Sequence, residues 1–180
     1  MEKKPRTLLK QIFGYDEFRP LQEEIIERTL AGKDSMVLMP TGGGKSICFQ
    51  IPALIFNGIT IVVSPLISLM KDQVQALRTN GIKADYYNSS LSTEEENKVI
   101  SRAIQGEIQL LYLSPEKLIS VSDTWLKEVR VKFVAIDEAH CVSMWGHDFR
   151  PEYTKLKIFR NSMPGVPFMA LTATADKSAR

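Results

Sequence analysis

Cysteine is scarce in this chain. Cys48 and Cys141 are the only two, they stand far apart, and neither belongs to a paired-cysteine spacing. That argues against a zinc site and for two buried, reduced thiols. Long apolar runs are missing too: nothing approaches the roughly 18 consecutive apolar residues that read as a membrane-crossing helix. The opening MEKKPRTLLK is basic, with no apolar stretch or small-residue cleavage site behind it. That argues against a secretory leader, and an intracellular protein is expected. Charge of one sign is also in short supply, since Lys and Arg exceed Asp and Glu by only two. A net +2 does not indicate a nucleic-acid partner by itself, but allows one if basic residues share a face. Internal repeats, low-complexity segments and long linkers are absent, so 180 residues are expected to form one domain.

What is present suits a packed globular domain: 44% hydrophobic and 24% charged residues. Apolar or β-branched runs recur as SMVLMP, ITIVVS, IQLLYLS, KFVAID and PFMALTA, with KADYYN as a sixth candidate. Most lack alternation, which fits strands buried on both faces of a parallel sheet. Helical patterns separate them at 20–31, 44–56 and 65–79, the first with Leu21, Ile25 and Leu30 on one stripe before Gly32. Ser92 and Glu95 match a capping box for a further helix. Its Val99, Ile100, Ala103 and Ile104 share a face until Gly106. Strand–helix alternation predicts an α/β fold: a mostly parallel sheet of about six or seven strands, helices on both faces, and ligands at the carboxyl ends of the strands.

MVLMPTGGGKSICFQIPAL carries the most chemistry. A strand leads into Thr41, Gly42, Gly43 and Gly44, then Lys45, Ser46 and a helix. The glycines let several backbone N–H groups face one anion, and the helix N-terminus adds its positive end. Lys45 would reach the β- and γ-phosphates, and the Ser46 hydroxyl would hold Mg²⁺. The general pattern G-x-x-x-x-G-K-[ST] is met except at Met39, where it asks for glycine. The plainer alternative is a glycine-rich turn beside a surface lysine.

KFVAIDEAH supplies the matching carboxylates. Asp137 falls at the end of a buried strand, placed to hold Mg²⁺, and Glu138 is placed to orient or deprotonate the attacking water. Together these residues form an NTP-hydrolysing set. By itself the acidic pair could be a solvated strand end.

Several further stretches carry a family resemblance. AIDEAH gives the DEAH form of the second helicase motif, and LTATA is similar to the third motif of superfamily-two helicases. FGYDEFRPLQEEII resembles the N-terminal element of RecQ helicases. VVSPLISLMKDQV and LYLSPEKL are similar to that family's nucleic-acid motifs, and CVSMWGHDFRPEY to its aromatic-rich loop. The resemblance runs from Phe13 to Ala175 and implies a RecA-like P-loop domain of a RecQ-family ATP-dependent DNA helicase. Residues 1–31 are then adenine-recognition helices and 32–180 the P-loop core.

The resemblance also implies individual roles. Gln22 would pair with the Watson–Crick-side donor and acceptor of adenine, with Arg19 and Phe18 beside the base. His140 would link the ATP site to DNA, and Thr172 and Thr174 would couple hydrolysis to movement or serve as plain strand-end hydrogen-bonding groups. Trp145 and Phe149 offer stacking platforms for single-stranded DNA, and Arg150 pairs with phosphate or a carboxylate. Gly146, His147 and Asp148 lie between the rings. Met144 stands where the family usually has glutamine, so the polar link there is missing. Ser64, Ser68, Lys71 and Ser114 are expected at the DNA backbone or, equally, as helix caps and surface residues. Lys155, Lys157 and Arg160 read first as a solvated basic face.

ATP and Mg²⁺ are the implied cofactors. The implied partners are single-stranded and duplex DNA and a second RecA-like lobe, which the 180 residues do not include. The chain alone is expected to bind nucleotide weakly, hydrolyse it poorly and not unwind DNA. The whole protein would unwind duplexes, 3′ to 5′, in repair and recombination, in the nucleoid-associated cytoplasm of a bacterium. A DNA-stimulated translocase that remodels without unwinding is the competing reading. A nucleotide-binding module without catalysis is a third, which Glu138 argues against.

Overall fold

The computed structural model describes residues 4–40, 44–139 and 158–173. The chain begins with α1 (Pro5–Phe13) and α2 (Gln22–Leu30), followed by β1 (Ser35–Met39) and α3 (Lys45–Ile55). Next come β2 (Ile59–Val63), α4 (Ile67–Thr79), β3 (Ala84–Tyr87) and α5 (Thr93–Ile104). β4 (Leu110–Leu113), α6 (Pro115–Val121), a 3-10 turn (Trp125–Glu128), β5 (Val131–Ile136) and β6 (Phe168–Ala173) complete the described elements. The six strands form one sheet in the order β1-β6-β5-β2-β4-β3, every pairing parallel. The α/β class, the parallel sheet and each of the six expected strands are borne out.

The strand order explains the two layers of helices. From β1 to β2 and on to β3 the chain steps in one direction across the sheet; from β3 to β4, β5 and β6 it steps back. Right-handed crossovers then place α3 and α4 on one face and α5 and α6 on the other. The core divides accordingly. Val62, Tyr112, Phe133 and Ala135 pack with residues of α1 to α4, while Ile61, Leu113 and Val134 pack with α5, α6 and the 3-10 turn. β2 and β4 are buried along their whole length, which is why their sequences are apolar without alternation.

Local signals set the helix ends. Ser92 and Glu95 form the expected reciprocal capping box on α5. α1 has Pro5 in its first turn and a left-handed Gly14 after its last, start and stop signals that the sequence itself contains. The expected helix at 20–31 starts later. Leu21 lies outside α2 with φ 74 and is 59% exposed, so the buried side of α2 is Gln22, Ile26 and Thr29 rather than a Leu21 stripe. On α5, Ile104 is likewise 39% exposed, whereas Val99 and Ala103 are buried. Cys48 is fully buried and free, as expected; Cys141 lies outside the described residues. Among the described residues no helix is long and apolar enough to cross a membrane.

Candidate active site

The carboxyl ends of β1, β5 and β2 converge on the N-terminus of α3. Gly44 holds φ 82 and passes the chain into Lys45, the first residue of that helix. Lys45 Nζ lies 3.7 Å from Glu138 Oε2, both side chains largely shielded from solvent. Two elements distant in sequence thus meet as the glycine turn and the acidic pair predict. Asp137 extends the sheet by one bond, its N–H donating to the Val63 carbonyl at 2.8 Å. Its Oδ1 accepts from the Glu138 N–H at 2.9 Å. Glu138 itself has φ 53, a left-handed conformation unusual for a residue with a side chain. Backbone strain of this kind collects where a side chain must be aimed. Ser46 is exposed in the first turn of α3, its hydroxyl open to a ligand. Thr41, Gly42 and Gly43 lie outside the described residues.

Beside this site a pocket of about 370 Å³ is lined by Tyr15, Glu17, Arg19, Gln22, Gly44 and Ser46, among others. Gln22 is only 3% exposed. Its Oε1 accepts from the Arg19 N–H at 2.8 Å, and its Nε2 donates to the Gly44 carbonyl at 3.0 Å. A carboxamide has two donor hydrogens and two acceptor lone pairs, so one of each remains for a ligand. Arg19 lines the pocket; Phe18 instead packs against the core and is not among the lining residues. Tyr15 was missed from the sequence. It lines the pocket with 55% of its surface exposed, and the available signal was an aromatic placed directly after the left-handed Gly14.

The remaining candidates separate clearly. Ser64 and Ser114 are buried, and each hydroxyl accepts a backbone N–H, from Leu66 and Lys117 respectively. Ser114 is thereby the N-cap of α6, while Ser64 closes a local turn ahead of α4. Ser68 and Lys71 are exposed on α4. Thr172 is half-buried in β6, opposite Leu38. Arg160 keeps much of its side chain exposed, in line with a solvated face, and is also paired. Its guanidinium pairs with Asp34 and sits 4.9 Å from the centre of the Phe168 ring, and Asp34 also accepts the Phe168 N–H at 2.9 Å. His140, Met144, Trp145, His147, Phe149, Arg150, Lys155, Lys157 and Thr174 lie outside the described residues. No cluster of three or more His, Cys, Asp or Glu able to hold a metal occurs among the described residues.

Comparison with known families decides how this geometry is classified. The family model described as DEAD/DEAH box helicase matches residues 19–180. The chain belongs to the DEAD/DEAH box helicase family. Within that family it is 57% identical over 174 residues to the ATP-dependent DNA helicase RecQ of Pasteurella multocida, covering 96% of this chain and 28% of the relative. Against RecQ of Bacillus subtilis the identity is 51% over 173 residues, covering 94% of this chain and 29% of the relative. The DEAD/DEAH chain therefore spans less than a third of the length of these curated relatives. Its fold is shared with the DUF1998 helicase MrfA, in a structure bound to DNA and AMPPNP. The TM-score there is 0.76 at 20% identity, over 96% of this chain and 26% of that one.

Proposed function

We propose that this chain is the ATP-binding lobe of an ATP-dependent DNA helicase of the RecQ type, whose whole protein couples ATP hydrolysis to single-strand translocation and duplex unwinding. The observation that carries this reading is the Lys45–Glu138 contact at the carboxyl ends of the strands, directly beside the Gln22 pocket. The names of the relatives, which are ATP-dependent DNA helicases, support it.

The assigned roles follow from the positions. The pocket of Tyr15, Arg19 and Gln22 takes the adenine, with the remaining donor and acceptor of Gln22 toward the base edge. The turn of Thr41, Gly42, Gly43 and Gly44 and the start of α3 take the phosphates. A triphosphate draws Lys45 away from Glu138, and the released carboxylate orients or deprotonates the attacking water. Ser46 and Asp137 are hard oxygen donors. Such donors suit Mg²⁺, an ion held by a few side chains plus phosphates. Mg²⁺ bound there would neutralise charge on the β- and γ-phosphates.

Trp145, Phe149 and Arg150 contact single-stranded DNA, with His140, His147, Thr172 and Thr174 in the coupling path to the ATP site. A second RecA-like lobe supplies the arginine finger, worth about 10³–10⁵ in rate when it acts in trans. The 180-residue chain alone therefore binds ATP weakly, turns it over slowly and unwinds nothing. The setting is DNA repair and recombination, in the cytoplasm of a bacterium at its nucleoid.

The deciding experiment is strand displacement and DNA-stimulated ATPase by the whole protein, with Lys45→Ala as control. Unwinding by the wild type and none by the variant supports the reading. ATP hydrolysis on single strands without separation of a 3′-tailed duplex would select a remodelling translocase instead.

A further inference from the structure

The pocket beside the site draws its walls from separate helices. Leu9 in α1 and Tyr15 just beyond it line one part, and Gln22 at the start of α2 lines another. An ion pair joins these two helices directly. Arg6 donates from Nε to Glu23 Oε2 at 2.8 Å and from Nη2 to Glu23 Oε1 at 2.9 Å. Two donors of one guanidinium thus meet both oxygens of one carboxylate, a fork that fixes orientation as well as distance.

Tyr15 is carried by α1. The left-handed Gly14 ends that helix, and its N–H donates to the Lys10 carbonyl at 3.1 Å. The Tyr15 N–H then donates to the Leu9 carbonyl at 3.3 Å, so the tyrosine backbone follows the helix. On the other side of the pair, Glu23 is the chain neighbour of Gln22, whose carboxamide is held by Arg19 and Gly44. Leu8 and Leu9 bury one side of α1 in the core, which fixes its depth. Apolar contact is non-directional, and leaves the tilt of a rod of nine residues, about 13 Å long, to be set at its ends.

A surface ion pair is usually worth little. The Lys10–Asp16 contact, 3.3 Å between two mostly exposed side chains, is of that kind. Arg6–Glu23 differs because it is doubly bonded, joins residues 17 positions apart, and keeps only 34% of the Glu23 side chain exposed.

We infer that Arg6 and Glu23 are positioning residues of the base pocket: their fork sets the tilt of α1 on α2, and so holds Tyr15 where a purine ring stacks beside Gln22. The inference rests on the adenine reading of this pocket proposed above. Neither residue is among those lining the pocket; they act through Tyr15.

The test uses the whole protein carrying Arg6→Ala, Glu23→Ala, Tyr15→Ala, and Arg6→Ala combined with each of the other two. Binding of a ribose-labelled fluorescent ATP analogue and of inorganic triphosphate, which has no base, is measured alongside kcat and the unfolding midpoint. Arg6→Ala and Glu23→Ala should each weaken the ATP analogue about fivefold, the upper end for an exposed ion pair. Affinity for inorganic triphosphate, kcat and the midpoint should stay close to wild type. Adding Arg6→Ala to Glu23→Ala or to Tyr15→Ala should cost nothing more, because the linkage is already broken. Arg6→Lys, which keeps the charge but not the fork, should fall between wild type and Arg6→Ala. Additive losses, equal losses for the ATP analogue and inorganic triphosphate, or no loss at all would overturn the assignment. If Glu23→Ala disturbs α2 itself, seen as a lower midpoint, the Arg6 variants decide by the same readout. A wild type that binds the ATP analogue no more tightly than inorganic triphosphate would refute the base-pocket reading itself, whatever Arg6 does.

Discussion

Gln22 donates from Nε2 to the carbonyl of Gly44 across 3.0 Å, joining two residues 22 positions apart in the chain. One side chain thereby ties the helix ahead of β1 to the residue that closes the glycine turn. The Gln22 pocket and the start of α3 are thus mechanically one unit.

Gly44→Ala tests that unit. A Cβ at Gly44 would lie 2.4 Å from Gln22 Nε2, and φ 82 is a conformation alanine rarely adopts. The left-handed conformation alone costs about 1–2 kcal/mol. ATP affinity is expected to fall at least about tenfold as the carboxamide is displaced, a loss of about 1.4 kcal/mol. Titration of a fluorescent ATP analogue measures it, and unchanged affinity would show that the bond is not part of the nucleotide site.

Glu138→Gln separates binding from chemistry. The amide cannot accept the water proton, so kcat should drop by about 10²–10⁴-fold. Lys45 loses its 3.7 Å partner and becomes available to phosphate, so ATP affinity should hold or rise. Steady-state ATPase with equilibrium nucleotide binding checks both halves. A variant that hydrolyses normally would remove Glu138 from the mechanism.

Trp145→Ala addresses the DNA side of the proposed function. Losing one stacked base removes about 1–3 kcal/mol of single-strand affinity. Nucleotide binding should be spared while DNA stimulation of the ATPase disappears. If stimulation persists at wild-type level, Trp145 is a structural aromatic.

Asp85→Ala probes the sheet edge rather than the site. Asp85 in β3 is nearly buried and pairs with both Arg78, at 3.0 Å, and Arg102. These arginines come from α4 and α5, so one carboxylate clamps both helix layers to the edge strand. Its loss should cost about 1–3 kcal/mol, read as a lower urea midpoint, with KM for ATP unchanged. A midpoint equal to wild type would make the clamp decorative.

Cys48 gives a pH signature. Burial pushes its thiol from the ordinary 9.0 to about 12. The folded chain keeps a proton that the unfolded chain releases between those values. This contribution to stability is fully present below pH 9 and is lost as the pH rises from 9 toward 12. At pH 8.5 Cys48 should resist iodoacetamide in the native protein and react after denaturation, read by peptide mass. Rapid native labelling would contradict its burial.

How much of this could be read along the chain depended on how local the signal was. The capping box of α5, the apolar runs of β2 and β4 and the start of α3 at Lys45 are set by neighbours within a few residues, and each was legible. Leu21 was misplaced because spacing alone cannot foresee a left-handed residue that breaks the stripe. Tyr15, rather than the expected Phe18, lines the pocket for a similar reason. Which aromatic faces the pocket depends on how the turn after Gly14 packs, not on residue type. That Ser64 and Ser114 are buried and bonded to backbone N–H groups depends on the packing of the strand ends, which residue type does not reveal.

By itself the sequence determined the residue types that phosphate, cation and water chemistry require, and the alternation that makes a parallel α/β sheet. Those depend on composition and short-range spacing. Tertiary structure alone decided that Lys45 meets Glu138, that Gln22 holds Gly44 and that Arg160 is engaged by Asp34. Each is a contact between distant segments, set by the strand order β1-β6-β5-β2-β4-β3 and by the hand of the crossovers. No local pattern specifies which strand ends become neighbours; packing the two core layers around one sheet does.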